Sequence, residues 1–492
     1  MTQTAPHPET QIPLPAGAML IDGEWVAESS LGRQEQVNPA TGKVLATFAL
    51  AGQPEVDAAV AAARGAFPAW RAMPPNERRT ILSRLASLLD ERVEHQSVLR
   101  TLETGAPLKR GKRQSLAAEW IHYYAGWVDK LEGQTIPAYP GQGLDYTKVE
   151  PYGVVAVIIP WNGPVVSAAM KVAPALAAGN CVVLKPSELG PLATLHLGEL
   201  CIEAGIPPGV INIVPGGPEA GETLVSHPGV EKISFTGGGA TARRILTSAA
   251  EHLTPVVLEL GGKSASVVFA DADLDRAAMI GLHGGIVNMS GQACVLATRM
   301  LVEASVYEEM ERRVVDMVEA LKVGDPFVDG TQMGPVISAG AADRILGEVD
   351  RAASDGDGKL LTGGSRLGGD LADGYFVAPT VFGGVDNASP LAQEEIFGPV
   401  LSLIPFDTED DAIEKANDTR YGLGSLVFTR DLRRAHQVAD RLDAGYLGIN
   451  AFPPMSPNAP FGGVKQSGFG REGGLAGIQE FLRVKNIYVD LS

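Results

Sequence analysis

Cysteine is the scarcest residue type in this chain, whose 492 residues include only Cys181, Cys201 and Cys294. Three thiols cannot all pair within one chain, and so sparse a set is typical of a reducing compartment, which predicts a cytoplasmic protein. No apolar run reaches the roughly 18 residues that cross a bilayer, so no membrane association is expected. The first residues lack a basic segment followed by an apolar one, and no secretory signal is predicted.

Basic residues are also fewer than acidic residues. The chain has 40 Lys and Arg residues against 58 Asp and Glu residues, which gives a formal net charge of −18. Such a surface repels phosphate backbones and anionic membranes, so nucleic acid is not an expected partner. An acidic surface also favours solubility, which is the plainer explanation of the charge.

Motifs of several common catalytic classes are missing. The chain has no Cys-x-x-Cys, no His-Glu-x-x-His and no Asp-rich calcium loop, so no metal site is predicted. It also lacks the phosphate-binding loop of nucleotide triphosphatases and the Gly-x-Ser-x-Gly elbow of serine hydrolases. Those enzyme classes are therefore disfavoured.

What is present is an alternation of short β-branched runs and helix-length segments from Pro151 to Ala270. The runs are apolar throughout, which predicts parallel strands covered on both faces by helices. Strands are expected at 154–159, 181–186, 210–215, 232–237 and 256–260. This is a doubly wound, Rossmann-like α/β arrangement, in which ligands bind beyond the carboxyl ends of the strands.

A second α/β region follows. Its expected strands are 265–270, 299–304, 376–382, 400–406 and 424–429, and its expected helices are 272–288 and 306–321. Ahead of both regions, residues 54–125 are predicted to be helical because apolar residues recur there at helical spacing.

Cys294 differs from the other two cysteines. Cys181 begins an apolar strand and Cys201 lies in an amphipathic helix, where a thiol usually serves as a small buried hydrophobe. Cys294 follows the polar, glycine-containing stretch Asn-Met-Ser-Gly-Gln-Ala at 288–293. A thiol on such a loop can be exposed and have its pKa adjusted, as a nucleophile requires, although the same setting also suits an inert cysteine.

Two glycine-containing segments are candidates for the rest of a site. Glu259 ends an apolar run and precedes two glycines, so it is either a partly desolvated general base or a strand-end carboxylate in solvent. Residues 237–242 read Gly-x-Gly-x-x-Ala between a strand and a helix. That context is typical of a pyrophosphate-binding turn, although glycine-rich turns after strands are common.

Three more segments carry polar groups at strand boundaries. Lys185 and Glu188 could clamp a ribose or phosphate, or form a solvated turn. Asn162 could donate to an oxyanion, or only shape the turn before Gly-Pro. Glu395 could hold a cofactor hydroxyl while Phe397 packs on a flat ring, or the two could form a strand entry with a core aromatic.

Taken together and in order, these motifs resemble those of the aldehyde dehydrogenase superfamily. The resemblance implies a Rossmann-like NAD-binding domain (1–124 and 149–258), a second α/β catalytic domain (259–467) and a small β oligomerisation element (125–148 and 468–492). It extends from Asp22 almost to the C-terminus. The matching segments are PWN (160–162), KPSE (185–188), FTG (235–237), ELGGK (259–263), GQAC (291–294), EEIFGPV (394–400) and PFGG (460–463).

The resemblance implies catalytic roles for five residues. Cys294 becomes the nucleophile, Glu259 the base that activates water, and Asn162 with the Cys294 N–H the oxyanion hole. Lys171 and Glu472 match positions behind Glu259, where they would pass protons. The implied reaction is NAD-dependent oxidation of an aldehyde to its carboxylic acid through a thiohemiacetal and a thioester.

The implied cofactor is NAD. Lys185 and Glu188 match residues that bind the adenosine ribose, and Glu395 matches the one that holds the nicotinamide ribose. Glu188 favours NAD over NADP because a carboxylate accepts a hydrogen bond from the 2′-hydroxyl and repels a 2′-phosphate. The predicted cofactor residues are Ile158, Pro160, Trp161, Lys185, Ser187, Glu188, Gly217, Phe235, Thr236, Gly237, Gly238, Leu260, Gly261, Glu395 and Phe397.

The matched substrate tunnel is expected to be roomy and mainly apolar. Several family members carry larger aromatic side chains at some of its positions, and none of these positions supplies a cation. We therefore expect medium-to-large aldehydes rather than charged semialdehydes as substrates. The positions are Gly163, Val166, Ser167, Met170, Ala293, Val295, Met455 and Phe461.

The turn after FTG departs from the family pattern. Gly238, Ala240 and Ala242 stand where the family usually has Ser, Glu and Gly. Since the hydroxyl that would meet the pyrophosphate is absent, we expect backbone N–H groups and the helix terminus to bind it.

Two alternative functions stay open. A CoA-acylating relative is disfavoured by Glu259, which thioester transfer to CoA does not need. A non-catalytic, cofactor-binding relative is disfavoured by the joint presence of Cys294, Glu259 and Asn162. The projecting strands of the oligomerisation element are edges that need a partner, which predicts a homodimer or homotetramer.

Overall fold

The computed structural model describes residues 12–111 and 114–491. Across these residues, no helix combines the length and the apolar character needed to span a membrane. The strands are β1 (Met19–Ile21), β2 (Glu24–Val26), β3 (Arg33–Asn38), β4 (Lys43–Ala49), β5 (Thr135–Ile136), β6 (Gly143–Pro151), β7 (Val154–Ile158), β8 (Cys181–Lys185), β9 (Ile211–Ile213), β10 (Lys232–Thr236), β11 (Val256–Glu259), β12 (Ala265–Val268), β13 (Arg299–Glu303), β14 (Lys359–Thr362), β15 (Thr380–Gly383), β16 (Val400–Phe406), β17 (Gly424–Phe428), β18 (Tyr446–Ile449), β19 (Gly468–Phe469) and β20 (Leu482–Asp490). The α-helices are α1 (Gln53–Ala72), α2 (Pro75–Glu91), α3 (Val93–Thr104), α4 (Leu116–Ala125), α5 (Pro164–Ala178), α6 (Leu192–Ala204), α7 (Pro218–Ser226), α8 (Gly239–His252), α9 (Leu274–Leu282), α10 (Tyr307–Glu319), α11 (Ala339–Asp355), α12 (Pro390–Gln393), α13 (Glu409–Asn417), α14 (Leu432–Arg441) and α15 (Gly474–Gln479).

The first sheet has the strand order β19-β11-β10-β7-β8-β9-β1-β2, and its five central strands are parallel. Strands β7 and β8 are buried along their whole length, and helices α1, α5, α6, α7 and α8 pack against the sheet. The chain runs outward from β7 to β9 and then returns to lay β10 beside β7. This reversal of strand order opens a crevice at the carboxyl ends of β7 and β10. The predicted doubly wound class is confirmed.

The second sheet has the order β14-β15-β16-β13-β12-β17-β18 and is parallel except for β14. Only Leu260–Ser264 separate β11 of the first sheet from β12 of the second. The two sheets are therefore joined by a short segment that begins directly after Glu259.

A third sheet is an antiparallel ribbon of β20, β6 and β5. Strand β20 pairs with β6 from Leu482 opposite Pro151 to Asp490 opposite Gly143. The nearby β19 pairs instead with β11, so the C-terminal part of the chain contributes to both the first and the third sheet. The proposed domain boundaries stay predictions.

The structure corrects two expected elements. The helix expected at 272–288 is α-helical only to Leu282 and continues as one π-helical stretch, His283–Val287. A Cβ on Gly285 would lie 3.1 Å from the Ala297 carbonyl oxygen, so this part of the chain passes close to neighbouring backbone. The strand expected at 376–382 begins only at Thr380, directly after Pro379, which has no N–H to donate to a ladder.

Candidate active site

A cavity of about 590 Å³ lies where the carboxyl ends of β7, β10 and β11 meet the segment before β13. The predicted catalytic, tunnel and cofactor residues in its wall are Asn162, Glu259, Cys294, Glu472, Gly163, Val166, Ser167, Met170, Ala293, Val295, Met455, Phe461, Pro160, Trp161, Thr236, Gly237, Gly238, Leu260, Gly261, Glu395 and Phe397. The predicted residues outside this wall are Lys171, Ile158, Lys185, Ser187, Glu188, Gly217 and Phe235.

The loop before Cys294 has an unusual backbone. Met289 and Ser290 both adopt left-handed conformations, with φ of 53° and 54°, although neither is glycine. Such conformations cost on the order of 1–3 kcal/mol each and persist where the surroundings enforce them. The Ser290 hydroxyl donates to the Gly334 carbonyl oxygen at 2.8 Å, which ties this turn to a distant loop.

Gln292 fastens the same loop with its buried side chain. Its Nε2 donates to the Met289 carbonyl oxygen at 3.1 Å, and its Oε1 accepts from the Ile337 N–H at 3.0 Å. Its own carbonyl oxygen accepts from Asn162 Nδ2 at 2.8 Å. One of the two Asn162 amide hydrogens is therefore committed to the cysteine loop, and the other remains for a ligand.

The Cys294 thiol is half-buried in the cavity wall. Burial raises its pKa to about 12, and the negative charges of Glu395, Glu259 and Glu472 act in the same direction. The resting thiol is therefore protonated at neutral pH, and attack on a carbonyl requires a base that takes its proton.

Iodoacetamide is expected to label Cys294 alone. The labelling rate should rise about tenfold per unit of pH from about pH 7 to about pH 9, because only the thiolate reacts and the thiolate fraction grows with pH below the pKa. Cys181 and Cys201 are 0 % and 1 % exposed, so they serve as internal controls. Intact-mass measurement after timed labelling checks both points. A rate plateau below pH 9, or a second label in the folded protein, would contradict the expected environment.

Glu259 is the last residue of β11 and is only 2 % exposed. Neither carboxylate oxygen has a hydrogen-bond partner among the described residues. Burial raises its pKa well above the ordinary range, Glu472 raises it further, and Lys171 and Arg471 oppose the shift. An unpaired carboxyl of raised pKa in the same wall as a thiol is suited to accept a proton.

Lys171 and Glu472 form a buried ion pair behind Glu259. Lys171 Nζ donates to Glu472 Oε1 and also to Ser234 Oγ, the latter at 3.2 Å. Glu472 reaches the cavity wall, whereas Lys171 is fully buried behind it. The pair thus connects the cavity surface to the interior of the first sheet.

The glycine turn at the end of β10 is open on its outer side. Gly238 precedes α8, no side chain caps that helix, and a Cβ on Gly238 would find no atom within 4 Å. Gly217 precedes α7 in the same way, again with open space. A Cβ on Gly237 would instead lie 2.4 Å from the ring of Phe235, so only glycine fits there. The unpaired N–H groups of the first turn of α8 are suited to bind an anion.

Lys185 lies at the carboxyl end of β8, opposite Ile158 of β7. Its Nζ donates to the Gly216 carbonyl oxygen just before α7. Burial lowers the pKa of Lys185 to about 8, and Glu188 opposes that shift. Glu188 itself is half-buried, and its Oε2 accepts only a long hydrogen bond, 3.4 Å, from the Ser187 hydroxyl.

The Glu395 carboxylate lies against the segment that joins the two sheets. Its Oε1 accepts from the Gly262 N–H at 3.1 Å, and a Cβ on Gly261 would lie 2.0 Å from Oε2. Burial raises the pKa of Glu395 to about 6, while Lys263 and other donors nearby hold it down. Glycine at 261 is therefore required for Glu395 to reach this position.

Phe397 and Trp161 bring the two sheets together on the other side of the cavity. Phe397 has a φ of 52°, and its ring meets that of Trp161 edge-on, with the centroids 5.8 Å apart. The two rings belong to segments that follow β7 and precede β16, so the contact spans both α/β regions.

Sequence reasoning missed several residues of the wall. Arg344, on α11, lines the cavity and donates to the Ile396 carbonyl oxygen at 2.5 Å, and no motif pointed to it. Gln292 stands inside the GQAC motif, but its role depends on Ile337 and Asn162, which are distant in sequence. One face of α3, including Arg100, also lines the cavity.

A sequence profile of the aldehyde dehydrogenase family matches residues 25–487. The chain belongs to this family. This aldehyde dehydrogenase is 42% identical over 478 residues to DhaS of Bacillus subtilis (strain 168), a protein named as an aldehyde dehydrogenase, and the match covers 96% of this chain and 95% of the relative.

Solved structures agree with this assignment of the aldehyde dehydrogenase. A Staphylococcus aureus betaine aldehyde dehydrogenase in complex with NAD⁺ superposes with a TM-score of 0.94 at 38% identity, over 97% of this chain and 95% of that one. An NAD⁺ complex of a Bacillus cereus aldehyde dehydrogenase gives 0.93 at 40% identity over 96% of each chain. The fold implied by the resemblance is confirmed.

Proposed function

We propose that this aldehyde dehydrogenase uses NAD to oxidise an aldehyde to its carboxylic acid, with Cys294 as nucleophile and Glu259 as general base. The observation that carries the proposal is that Cys294, Asn162 and the unpaired Glu259 carboxyl line one cavity, whose wall also includes the open glycine turn before α8. The Staphylococcus aureus and Bacillus cereus relatives were crystallised with NAD⁺, which supports the same cofactor here.

In the first half of the reaction, Cys294 loses its proton to a base and its sulfur bonds to the aldehyde carbon. Glu259 is the base in this wall whose raised pKa suits the transfer. The aldehyde oxygen becomes an oxyanion, held by the Cys294 N–H and the uncommitted Asn162 amide hydrogen. Removing one such donor typically costs about 10²–10³-fold in rate.

When bound, NAD would supply the acceptor for the hydride that leaves the former carbonyl carbon, and Cys294 would then carry a thioester. Before the second half of the reaction, Glu259 gives up the thiol proton, which Glu472 and Lys171, paired behind it, would relay away. The ionised Glu259 then takes a proton from water, whose oxygen attacks the thioester carbon. The carbon–sulfur bond breaks, the leaving Cys294 thiolate takes this proton back from Glu259, and the acid leaves.

The residues present fit a dinucleotide. The first turn of α8 offers unpaired N–H groups to a pyrophosphate, and Gly238 leaves the space open in spite of the missing serine. Lys185 and Glu188 would hold the adenosine ribose, and Glu395 the nicotinamide ribose. Arg344 joins this set because it lines the cavity on the side of Glu395.

NAD is expected to be preferred over NADP by at least about tenfold in kcat/KM, because Glu188 repels a 2′-phosphate. Glu188→Gln should shrink this preference, whereas the matched control Glu203→Gln, at an exposed position on α6, should leave it unchanged. Initial rates with each cofactor at a fixed aldehyde concentration check this. Equal kcat/KM for the two cofactors in the wild type would contradict it.

The substrate side of the cavity supports a medium-to-large, largely apolar or aromatic aldehyde. Gly163, Met170 and Met455 leave the wall mainly apolar and without bulky rings at those places. Hydrophobic contact along such a wall contributes roughly 25 cal/mol per Å² of buried apolar area. Longer aldehydes should therefore have lower KM values than acetaldehyde.

A single assay tests the proposal against its alternatives. Formation of reduced cofactor is followed by absorbance with aldehydes of graded size, and the product is identified with and without CoA. Free carboxylic acid in both arms supports hydrolytic oxidation. Acyl-CoA as the main product would support the CoA-acylating alternative, and no reduction with any aldehyde would support a non-catalytic role.

We further propose that the protein assembles as a homodimer or homotetramer through the third sheet. Strand β20 leaves one edge of this ribbon unpaired within the described chain. Large apolar residues are exposed there, with Val484 on the strand at 70% and Leu491 directly after it at 67%. Such an edge is stabilised when a second copy covers it.

A further inference from the structure

One wall of the cavity is formed by a polar face of α3. Val93, Gln96, Ser97 and Arg100 all line the cavity, at the spacing i, i+3, i+4 and i+7 that places residues on one side of a helix. These positions lie outside the tunnel set expected from the sequence. The adjoining Gln114 is exposed, so this wall reaches the protein surface, whereas Glu259, which also lines the cavity, is buried.

Arg100 carries a positive charge that the described chain does not neutralise. Its side chain is half-buried, and burial lowers the pKa of its guanidinium. Its only hydrogen bond to the described chain is from Nη2 to the Pro107 carbonyl oxygen at 3.3 Å. No carboxylate of a described residue lies within ion-pair distance of it, yet a guanidinium stays charged and is costly to bury alone.

Other buried arginines of the structure use their donors within the protein. Arg299 and Arg78 each donate to several acceptors, most of them backbone carbonyl oxygens, so their side chains are held in place. Arg344, the other arginine in the cavity wall, has Glu348 and Glu395 nearby to balance its charge. Arg100 has neither several backbone acceptors nor a nearby carboxylate among the described residues. Its guanidinium, which lines the cavity, therefore keeps N–H donors for a ligand.

We propose that Arg100 binds a carboxylate at the far end of the aldehyde, so that the preferred substrates have an apolar body with an aldehyde at one end and a carboxylate at the other. This inference rests on the proposed function and narrows its substrate class. The apolar body of the aldehyde is kept, and the expectation that charged semialdehydes are disfavoured is replaced by a preference for a carboxylate at the far end. The guanidinium fork matches a carboxylate in bidentate geometry, and the partly desolvated setting strengthens the pair. An aldehyde with a cationic end, such as betaine aldehyde, is disfavoured by the same charge.

The test compares pairs of aldehydes of equal chain length, from about five to about nine carbons, that end in a carboxylate or in a methyl group. Wild-type kcat/KM should favour the carboxylate by at least about tenfold at the best length, as expected for one charge-assisted pair. Arg100→Met should remove that preference while it changes kcat/KM for the methyl-ended aldehyde by less than about threefold. Arg100→Lys should retain part of it, because the charge remains without the fork.

Arg64→Met provides the matched control, since Arg64 is exposed on α1 and its loss changes the net charge equally. It should leave the preference intact. An equal loss of kcat/KM for both members of a pair in Arg100→Met would identify a structural role and overturn the proposal. A wild type that favours methyl-ended aldehydes at every length would also overturn it, while their continued oxidation would leave the proposed function standing.

A third series carries a phosphate in place of the carboxylate. If the phosphate-ended aldehyde is preferred at the best length, and Arg100→Met removes that preference, the assignment to a carboxylate is overturned. A carboxylate preference over phosphate that Arg100→Met abolishes supports it. Raising the salt concentration to about 0.5 M should weaken the wild-type preference only in part, because contact pairs are screened less than long-range attraction.

Discussion

Cys294→Ala is expected to lose at least about 10⁴-fold of the aldehyde oxidation rate, because the substitution removes the atom that bonds to the substrate. NAD binding should be unchanged, since the proposed cofactor contacts come from β8, α8 and Glu395 rather than from the thiol. Stopped-flow measurement of reduced cofactor gives the rate, and isothermal titration gives the affinity for NAD.

Cys201→Ala is the matched control for this substitution. Cys201 is a buried thiol on α6 that does not line the cavity, so its loss should leave kcat within about twofold of the wild type and only lower stability modestly. Full turnover by Cys294→Ala would remove the basis of the proposed function. Loss of activity in both variants with loss of NAD binding would instead point to misfolding.

Glu259→Gln is expected to form the thioester more slowly than the wild type, because Glu259 is the proposed base for Cys294, and then to stall at the thioester. Reduced cofactor should appear in a burst no larger than the amount of enzyme, followed by a steady state slower than the wild type by about 10²–10⁴-fold, the usual contribution of a general base. The amide has a similar shape but cannot take a proton from water. Rapid quenching and mass measurement should find the acyl group on Cys294.

The burst distinguishes the two roles assigned to Glu259. A normal burst means that another group deprotonates Cys294, whereas a burst slowed as much as the steady state means that Glu259 acts in both steps. Glu251→Gln, at an exposed position on α8, should behave as the wild type. A steady-state rate equal to that of the wild type in Glu259→Gln would contradict its assignment as the base.

Much of the first sheet could be predicted because β7 and β8 are almost continuous apolar runs, a pattern that burial on both faces imposes. The convergence of Asn162, the Gly237 turn and Glu259 also followed, since parallel strands end at one edge of the sheet. The break after α9 did not follow, because glycines inside a helical pattern do not by themselves tell whether the helix continues.

The parts of the site that escaped prediction depend on contacts between distant segments. The left-handed Met289 and Ser290 are held by loops more than 40 residues away, and nothing in their own sequence requires that geometry. Arg100 escaped for a different reason. A polar helix face normally meets solvent, and only the packing of α3 beside the cavity gives these side chains another environment.

The hydrogen bond from Asn162 to the Gln292 carbonyl joins residues 130 positions apart, and the Lys171–Glu472 pair joins residues 301 apart. Each can form only after a long loop has closed, and such closures are late and slow events in folding. During refolding, helical content and burial of the first sheet should therefore recover before turnover does. Regain of activity then measures the docking of the two sheets. A variant that folds each sheet normally but docks them poorly would have the circular dichroism spectrum of the native protein and yet be inactive.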